Sequence, residues 1–225
     1  MALARFVGVS AAAAPVLLIG GWTVAATRQP AGFNPVADTI SALAGRGATD
    51  RWLMTSALVG VGSCHIVTAL GLRPAARAGR VLYAAAGAAT LLVAAFPLPR
   101  QGTSPAHTLA ATVSFVALAV WPVLAVRWRA GSAPAARPSD ASMPWVPSMP
   151  WVPSELSGPS GPCVPWGLRP AVAVGAGVIL SALVCTFGIE LYGGGDRIGL
   201  AERVAAGAEA VWPLIVVASW VALRR

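Results

Sequence analysis

Long apolar segments alternate with short polar ones along this chain. Six segments have, or nearly have, the roughly 20 apolar residues that a helix needs to cross the hydrocarbon core of a bilayer. They lie at about 6–27, 52–72, 81–98, 107–128, 168–190 and 201–223. Since five further spans follow the first, we interpret residues 6–27 as an uncleaved helix rather than a signal peptide. The pattern predicts an all-α polytopic membrane protein, a bundle of six transmembrane helices.

Composition supports this fold class. Of the 225 residues, 56% are hydrophobic and only 11% are charged, whereas soluble domains carry roughly 25% charged residues. A soluble globular domain with an ordinary surface is therefore excluded. The formal net charge of +8 raises the question of nucleic acid, but no basic stripe interleaved with aromatic residues occurs. We expect the lipid bilayer as the partner and no nucleic acid.

The arginines predict the orientation in the membrane, because cytoplasmic loops carry an excess of basic residues. With the N-terminus inside, ten of the sixteen arginines and only two of the eight acidic residues fall on the inner side. We therefore expect a multi-pass protein of the bacterial plasma membrane whose N-terminus and C-terminus are both cytoplasmic.

Residues 129–167 form the one long connection between predicted spans, on the cytoplasmic side. They contain nine prolines, including a tandem repeat of MPWVPS at 143–154. Proline removes backbone donors and blocks helix, so the segment is predicted to be a flexible or polyproline-like loop. It is interpreted either as a ligand for an aromatic-lined groove or as a duplication in a tolerant loop, and we favour the duplication.

The stretch FNPVADTISALAG, residues 33–45, is unexpectedly polar for a segment between two apolar spans. Asn34 followed by Pro35 is typical of a helix start, and Gly45 is typical of a helix end. We therefore predict a short interfacial helix over 35–44. Asp38 and Ser41 share one face of it, which points either to water at the lipid surface or over the mouth of the bundle.

Two later spans also carry polar residues at helical spacing. His107, Ser114 and Trp121 are separated by seven residues and share one face of the fourth span. Glu202 and Glu209 have the same spacing in the sixth span, with Glu209 well below the surface. An ionisable group at membrane depth costs a few kcal/mol and usually faces the bundle interior, so Glu209 is the strongest single indication of a pocket.

Together these residues suggest a polar pocket that opens to the extracytoplasmic side. Its candidate ligand-binding residues are Asp38, Ser41, His107, Glu202, Arg203 and Glu209. Arg203 is a candidate partner for an acid of a neighbouring helix. The alternative is that each residue is a structural contact at a helix end. His65, in the middle of the second span, is interpreted as a hydrogen-bonded core histidine.

At these residues the sequence resembles a family of bacterial and archaeal membrane proteins catalogued as domain of unknown function 998. The resemblance rests on NPVADTISAL at 34–43, on His107 at the start of the fourth span, and on GLAER at 199–203. It omits the Pro-rich loop. It implies a six-span architecture and supports the choice of Asp38, Ser41, His107, Glu202 and Arg203, but it implies no chemistry.

Two classes of function fit the sequence. In the first, the protein binds or transports a lipid or small amphiphile in the outer half of the bundle. In the second, it is a membrane enzyme acting on a lipid or isoprenoid, and its catalytic candidates are Asp38, Ser41, His107 and Glu209. We expect no cofactor and no metal. Two histidines cannot form a three-histidine zinc site within one chain, and a metal would require a mixed site of histidine and carboxylate.

Two enzyme mechanisms stay open. A serine hydrolase requires a base beside Ser41, and because no G-x-S-x-G motif is present, the fold would have to bring His107 to it. Acid catalysis requires Asp38 or Glu209 to be kept protonated by burial. A hydrogen bond between Ser41 and His107 would favour the hydrolase, whereas a closed pocket or one without Glu209 would count against binding or transport.

Overall fold

The computed structural model describes residues 2–128 and 164–223, and in these ranges every regular element is helical. Six helices are long and apolar enough to cross a membrane, which confirms the predicted all-α six-span architecture. They are α1 (Ala2–Thr27), α3 (Trp52–Gly71), α4 (Arg77–Ala95), α5 (Pro105–Leu124), α6 (Pro170–Gly193) and α7 (Ile198–Ala222). The short α2 (Ile40–Ala44) follows α1, and a 3-10 turn (Trp166–Leu168) precedes α6. The MPWVPS repeat lies outside the described residues.

Several helix boundaries differ from those predicted by three or four residues, and two of them have a common structural cause. The helix α4 begins at Arg77, whereas we expected the third span to begin at 81, and α5 ends at Leu124 rather than 128. Contacts between the two helix ends account for this, since the N–H of Ala76 donates to the carbonyl of Ala125 at 2.8 Å. The apolar residues Ala125 and Val126 continue beyond the end of α5, whereas the first turn of α4 contains Arg77 and Arg80, so hydropathy alone does not locate either end.

The short helix after the first span also starts later than predicted. The carbonyls of Pro35 and Val36 would accept the first hydrogen bonds of a helix beginning at 35, but they accept instead from the side chain of Arg203 and the N–H of Leu200. Residues 35–38 therefore form a turn, and Thr39 caps α2 by accepting from the N–H of Ala42 at 3.0 Å. Gly45 ends α2, as predicted.

The six long helices pack in chain order into a ring, which α7 closes by packing against α1. The helices α3 and α4 approach most closely at Gly62 and Gly87. A Cβ on either glycine would lie 2.7 Å from the carbonyl oxygen of the other. Such close approach of helix backbones through small residues is a common mode of packing in membranes. In lipid no hydrophobic force drives helices together, so van der Waals packing contributes more to their association.

Polar contacts identify which helix ends lie together. At one end, Arg46 N–H donates to the carbonyl of Leu98 at 2.8 Å, and residues of the α2 segment bind the start of α7. We call this the α2 end. At the opposite end the N–H of Gly167 donates to Ser219 Oγ at 3.3 Å. A ring of six helices with α2 across one end encloses a central space.

The helix α6 is the least integrated member of the ring. Its buried residues are Ala173, Ala176, Gly177 and Leu180, all in the half remote from the α2 end. Beyond Leu180 its side chains are exposed or only partly buried. In the half of the bundle that bears α2, the ring is therefore least tightly closed at α6.

Candidate functional site

The start of α7 holds the α2 segment in place through Glu202. This carboxylate accepts from the N–H of Ile40 and, at 2.9 Å, from the hydroxyl of Ser41. Ile40 is the first residue of α2, so its N–H has no partner within that helix. Glu202 therefore satisfies a donor that the fold would otherwise leave buried and unpaired.

Arg203 binds the preceding turn from the same helix. One guanidinium nitrogen, Nη1, donates to the carbonyls of Pro35 and Asp38 at 2.7 Å each and to that of Gly199 at 2.9 Å. The side chain thus binds carbonyl oxygens, whereas we expected it to pair with an acid of a neighbouring helix. Gly199 permits this contact because a Cβ there would overlap the carbonyl of Asp38. We call Glu202, Arg203 and residues 35–41 the clamp.

The carboxylate of Asp38 is used within its own turn, where it accepts from the N–H of Asn34 at 2.7 Å. Its side chain is partly buried. Asp38 therefore belongs to the clamp through both its backbone and its side chain.

A central cavity of about 70 Å³ lies beneath the clamp. Since one water fills roughly 10–15 Å³ by this kind of measure, the space admits a few waters or one small polar group. Five of the long helices and α2 contribute to its wall, but α6 does not. The lining residues are Leu18, Ile40, Ser41, Leu58, Val61, His65, Thr90, Val93, Ala111, Ser114, Phe115, Leu118, Glu202, Ala206 and Glu209.

Glu209 is the unusual member of this wall. Glu209 is only 1% exposed, and neither of its carboxyl oxygens has a hydrogen-bond partner among the described residues. An unpaired carboxylate in a low-dielectric interior is unfavourable by several kcal/mol. Glu209 therefore requires either a proton or a partner other than the described residues.

The other polar lining residues are paired. Thr90 Oγ1 and Ser114 Oγ lie 2.8 Å apart, and Thr90 also donates to the carbonyl of Ala86. His65 Nδ1 lies 2.8 Å from the hydroxyl of Tyr83, whose ring stacks on Trp121. The interpretation of His65 as a hydrogen-bonded core residue agrees with this contact, and its ring in addition reaches the cavity.

His107 lies at the α2 end but not on the cavity wall. It is 4% exposed, its Nδ1 is 2.9 Å from the carbonyl of Phe96, and its N–H donates to the Ser104 cap of α5. His107, Ser114 and Trp121, which share one helix face, are all buried. Only Ser114 of these three reaches the cavity.

The structure thus divides the six predicted site residues into three groups. Ser41, Glu202 and Glu209 line the cavity. Asp38 and Arg203 hold the turn above it, and His107 joins α5 to the end of α4. Sequence reasoning did not select Thr90 as a lining residue. The signal for it was weak, a single threonine in an Ala-rich and Gly-rich span.

The arrangement does not offer a metal site of the usual kind. Within residues 2–128 and 164–223, no group of three or more His, Cys, Asp or Glu side chains is placed to hold a metal ion. The cavity combines an apolar wall with one unpaired carboxyl, and this suits a ligand that has both apolar and hydrogen-bonding parts.

Comparison with known proteins gives one result. No curated protein and no solved structure matches the chain. A family model, described as "Protein of unknown function (DUF998)", matches residues 11–146, which contain most of α1, all of α2 to α5 and the clamp turn. The match covers more than half of the sequence, and the chain therefore belongs to this family.

Proposed function

We propose that this multi-pass membrane protein binds a lipid or small amphiphile in its central cavity. The supporting observation is the pairing of an apolar wall with Glu209, whose buried carboxyl has no partner among the described residues. A protein tolerates such a costly group when it is functional. The polar part of the ligand would contact Glu209, and its apolar part would contact the leucine, valine and phenylalanine side chains of the wall.

The volume of the cavity limits how much of a ligand it encloses. About 70 Å³ accommodates a head group but not a long acyl chain, so a chain has to leave the ring. Phe115 lines the cavity, and its ring centroid lies 5.2 Å from that of Phe187 on α6. We propose that the apolar tail leaves past Phe187, in the half of α6 beyond Leu180 that has no buried residue.

Two alanines of α5 provide a matched test of cavity binding. Ala111 lines the cavity, whereas Ala106 is exposed and does not. The probe is 1-octanol carrying a photoactivatable diazirine, applied to the full chain in nanodiscs, with labelled peptides identified by mass spectrometry. We expect labelling of the cavity-lining parts of α5 and α7, its loss in Ala111→Phe, and its retention in Ala106→Phe. Equal labelling of the two variants would overturn the proposal.

The proposed location is the plasma membrane with both termini cytoplasmic, so that the α2 end faces the extracytoplasmic side. The distribution of arginines supports this orientation, because ten of sixteen lie on the side of the termini and the Pro-rich loop. In a variant whose native cysteines are replaced, Gly47→Cys should react with a membrane-impermeant maleimide in intact cells, and Ser139→Cys should not. The reverse reactivity would overturn the orientation.

A second candidate is a membrane enzyme, which the contact between Ser41 and Glu202 favours. Ser41 Oγ lies 2.9 Å from Glu202 Oε1 at the cavity wall, and a carboxylate at this distance can accept a hydroxyl proton. His107 instead bonds to the carbonyl of Phe96, so Glu202 is better placed than His107 to serve as a base. Turnover of a lipid ester that Ser41→Ala abolishes would establish this function.

A further inference from the structure

The hydroxyl groups that line the cavity donate their hydrogens to other groups of the protein. Ser41 donates its hydroxyl hydrogen to Glu202. Thr90 and Ser114 bond to each other, and the carbonyl of Ala86 accepts the remaining hydrogen of this pair. These three groups therefore present lone pairs, rather than donors, to anything in the cavity.

When ionised, the carboxyl of Glu209 adds two further acceptor atoms to this set. Both of its oxygens lack a donor among the described residues, although the side chain is buried and lines the cavity. His65 uses Nδ1 in its contact with Tyr83, and the role of its second ring nitrogen depends on the tautomer. Apart from Nε2 of His65, the polar groups of the wall are acceptors. One of them is the carboxyl of Glu209, which has no counter-charge among the lining residues.

We infer that the cavity binds the primary ammonium head of an amphiphilic amine. This inference rests on the proposed function and specifies its ligand class. An ammonium group carries three donors, no acceptor and one positive charge, which complements the carboxyl of Glu209 and the other acceptors of the cavity wall. The carbons next to the nitrogen then contact the apolar wall.

Other cationic ligands fit these residues less well. A trimethylammonium group has no N–H and leaves every acceptor of the wall unsatisfied. Hard metal ions such as Ca²⁺ take six or more oxygen ligands, typically from several carboxylates and carbonyls. Among the lining residues the only carboxyls are Glu209 and Glu202, and Glu202 is already bonded to Ile40 and Ser41.

The test compares three amphiphiles of equal chain length: octylamine, 1-octanol and octyltrimethylammonium. Each is titrated calorimetrically into the full chain in nanodiscs of zwitterionic lipid, and the heat from protein-free nanodiscs is subtracted. We expect octylamine to bind at least about tenfold more tightly than the other two, since leaving one member of a buried charge pair unpartnered weakens binding by at least this factor.

Two carboxyl substitutions form a matched set. In Glu209→Gln we expect octylamine to lose at least about tenfold in affinity and to bind no better than 1-octanol. Asp196→Asn removes one carboxylate from the exposed segment before α7, and should leave all three affinities unchanged. If Glu209→Gln does not fold, Glu209→Asp replaces it, and we expect this variant to retain the preference for octylamine.

The outcomes separate this inference from the proposed function. If 1-octanol binds as tightly as octylamine and Glu209→Gln changes neither, the ammonium inference is wrong while cavity binding stands. If octyltrimethylammonium equals octylamine, charge alone is recognised and the assignment of a primary amine is wrong. If none of the three amphiphiles binds above the protein-free baseline, or Ala111→Phe leaves all binding unchanged, both the inference and the proposed function are wrong.

Discussion

Glu202 and Glu209 lie seven residues apart on the same face of α7, and both are almost fully buried, at 3% and 1% exposure. Their surroundings differ completely. Glu202 accepts from the N–H of Ile40 and the hydroxyl of Ser41, whereas Glu209 accepts from no described residue. One helix thus carries a carboxyl that the fold requires and, about 10 Å further along its axis, a carboxyl that the fold leaves unpaired.

The difference shows that membrane depth alone does not distinguish a hydrogen-bonded acid from one without a described partner. Both glutamates meet the usual sequence criterion of an ionisable residue within a span. Only their hydrogen-bond donors distinguish the two residues. Glu202 accepts from the first turn of α2, whereas no described residue donates to Glu209. Glu202 therefore has a structural role, whereas the role proposed for Glu209 is ligand binding, and substitutions at the two positions should have opposite effects on stability.

The largest expected effect is the loss of stability on removing Glu202. In Glu202→Ala, the buried N–H of Ile40 and the hydroxyl of Ser41 both lose their acceptor. Unsatisfied buried donors and lost charge-assisted bonds together suggest a decrease of about 2–4 kcal/mol in the free energy of unfolding. Denaturant titration in mixed micelles measures it. A loss below about 0.5 kcal/mol, within the range of ordinary surface substitutions, would contradict the structural role.

The next effect has the opposite sign. Glu209→Met replaces an unpaired buried carboxyl with an apolar side chain of similar length. Exchanging buried charged groups for well-packed apolar ones is often neutral or stabilising by about 1–4 kcal/mol, so the ligand-free protein should unfold at higher denaturant. The same variant should lose the stabilisation that octylamine gives to the unmodified chain.

A destabilised Glu209→Met protein would contradict this comparison, because it would mean that the carboxyl has a structural partner. Glu190→Met serves as the control. Glu190 lies near the C-terminal end of α6 and accepts from the N–H of Arg197 at 3.2 Å. Its replacement removes a real contact, so it should lower stability slightly and leave the response to octylamine intact.

The sequence predicted the bundle better than it predicted the site. Six spans followed from the length of the apolar runs, since only helices of that length cross a bilayer, and Glu209 followed from the cost of burying an acid. The start of α2 was misplaced at Pro35, because Arg203 and Leu200 compete for the carbonyls that a longer helix would use. Such a competition between residues more than 160 positions apart is not visible in local patterns.

Periodicity also could not separate His107 from Ser114. Both are buried, and the spacing of seven predicted that they share a face of α5. Position 107 is near the helix start, however, where its ring meets the free carbonyl of Phe96 at the end of α4. Which buried residues reach a cavity depends on where the neighbouring helices diverge, and hydropathy carries no information on that.

A smaller effect is expected at Arg203, the other clamp residue of α7. Arg203→Met removes the hydrogen bonds to Pro35, Asp38 and Gly199. Since this part of the clamp is partly exposed, water can solvate the freed carbonyls, and we expect a loss of about 1–2 kcal/mol. Hydrogen exchange at the N–H of Asp38 and Leu200 should accelerate. Arg203→Lys should recover part of the loss, whereas equal behaviour of Met and Lys would mean that the hydrogen bonds contribute little.

The smallest effect is expected at Ser41, where the comparison of binding with catalysis is most direct. Ser41→Ala removes one of the two donors to Glu202 but keeps the N–H of Ile40. Side-chain hydrogen bonds within membrane proteins average about 0.6 kcal/mol, so unfolding should be easier by about that amount. Octylamine affinity should fall less than in Glu209→Gln. If Ser41→Ala folds normally but abolishes turnover of a lipid ester, Ser41 is a nucleophile, and Glu202 then acts as its base as well as the partner of α2.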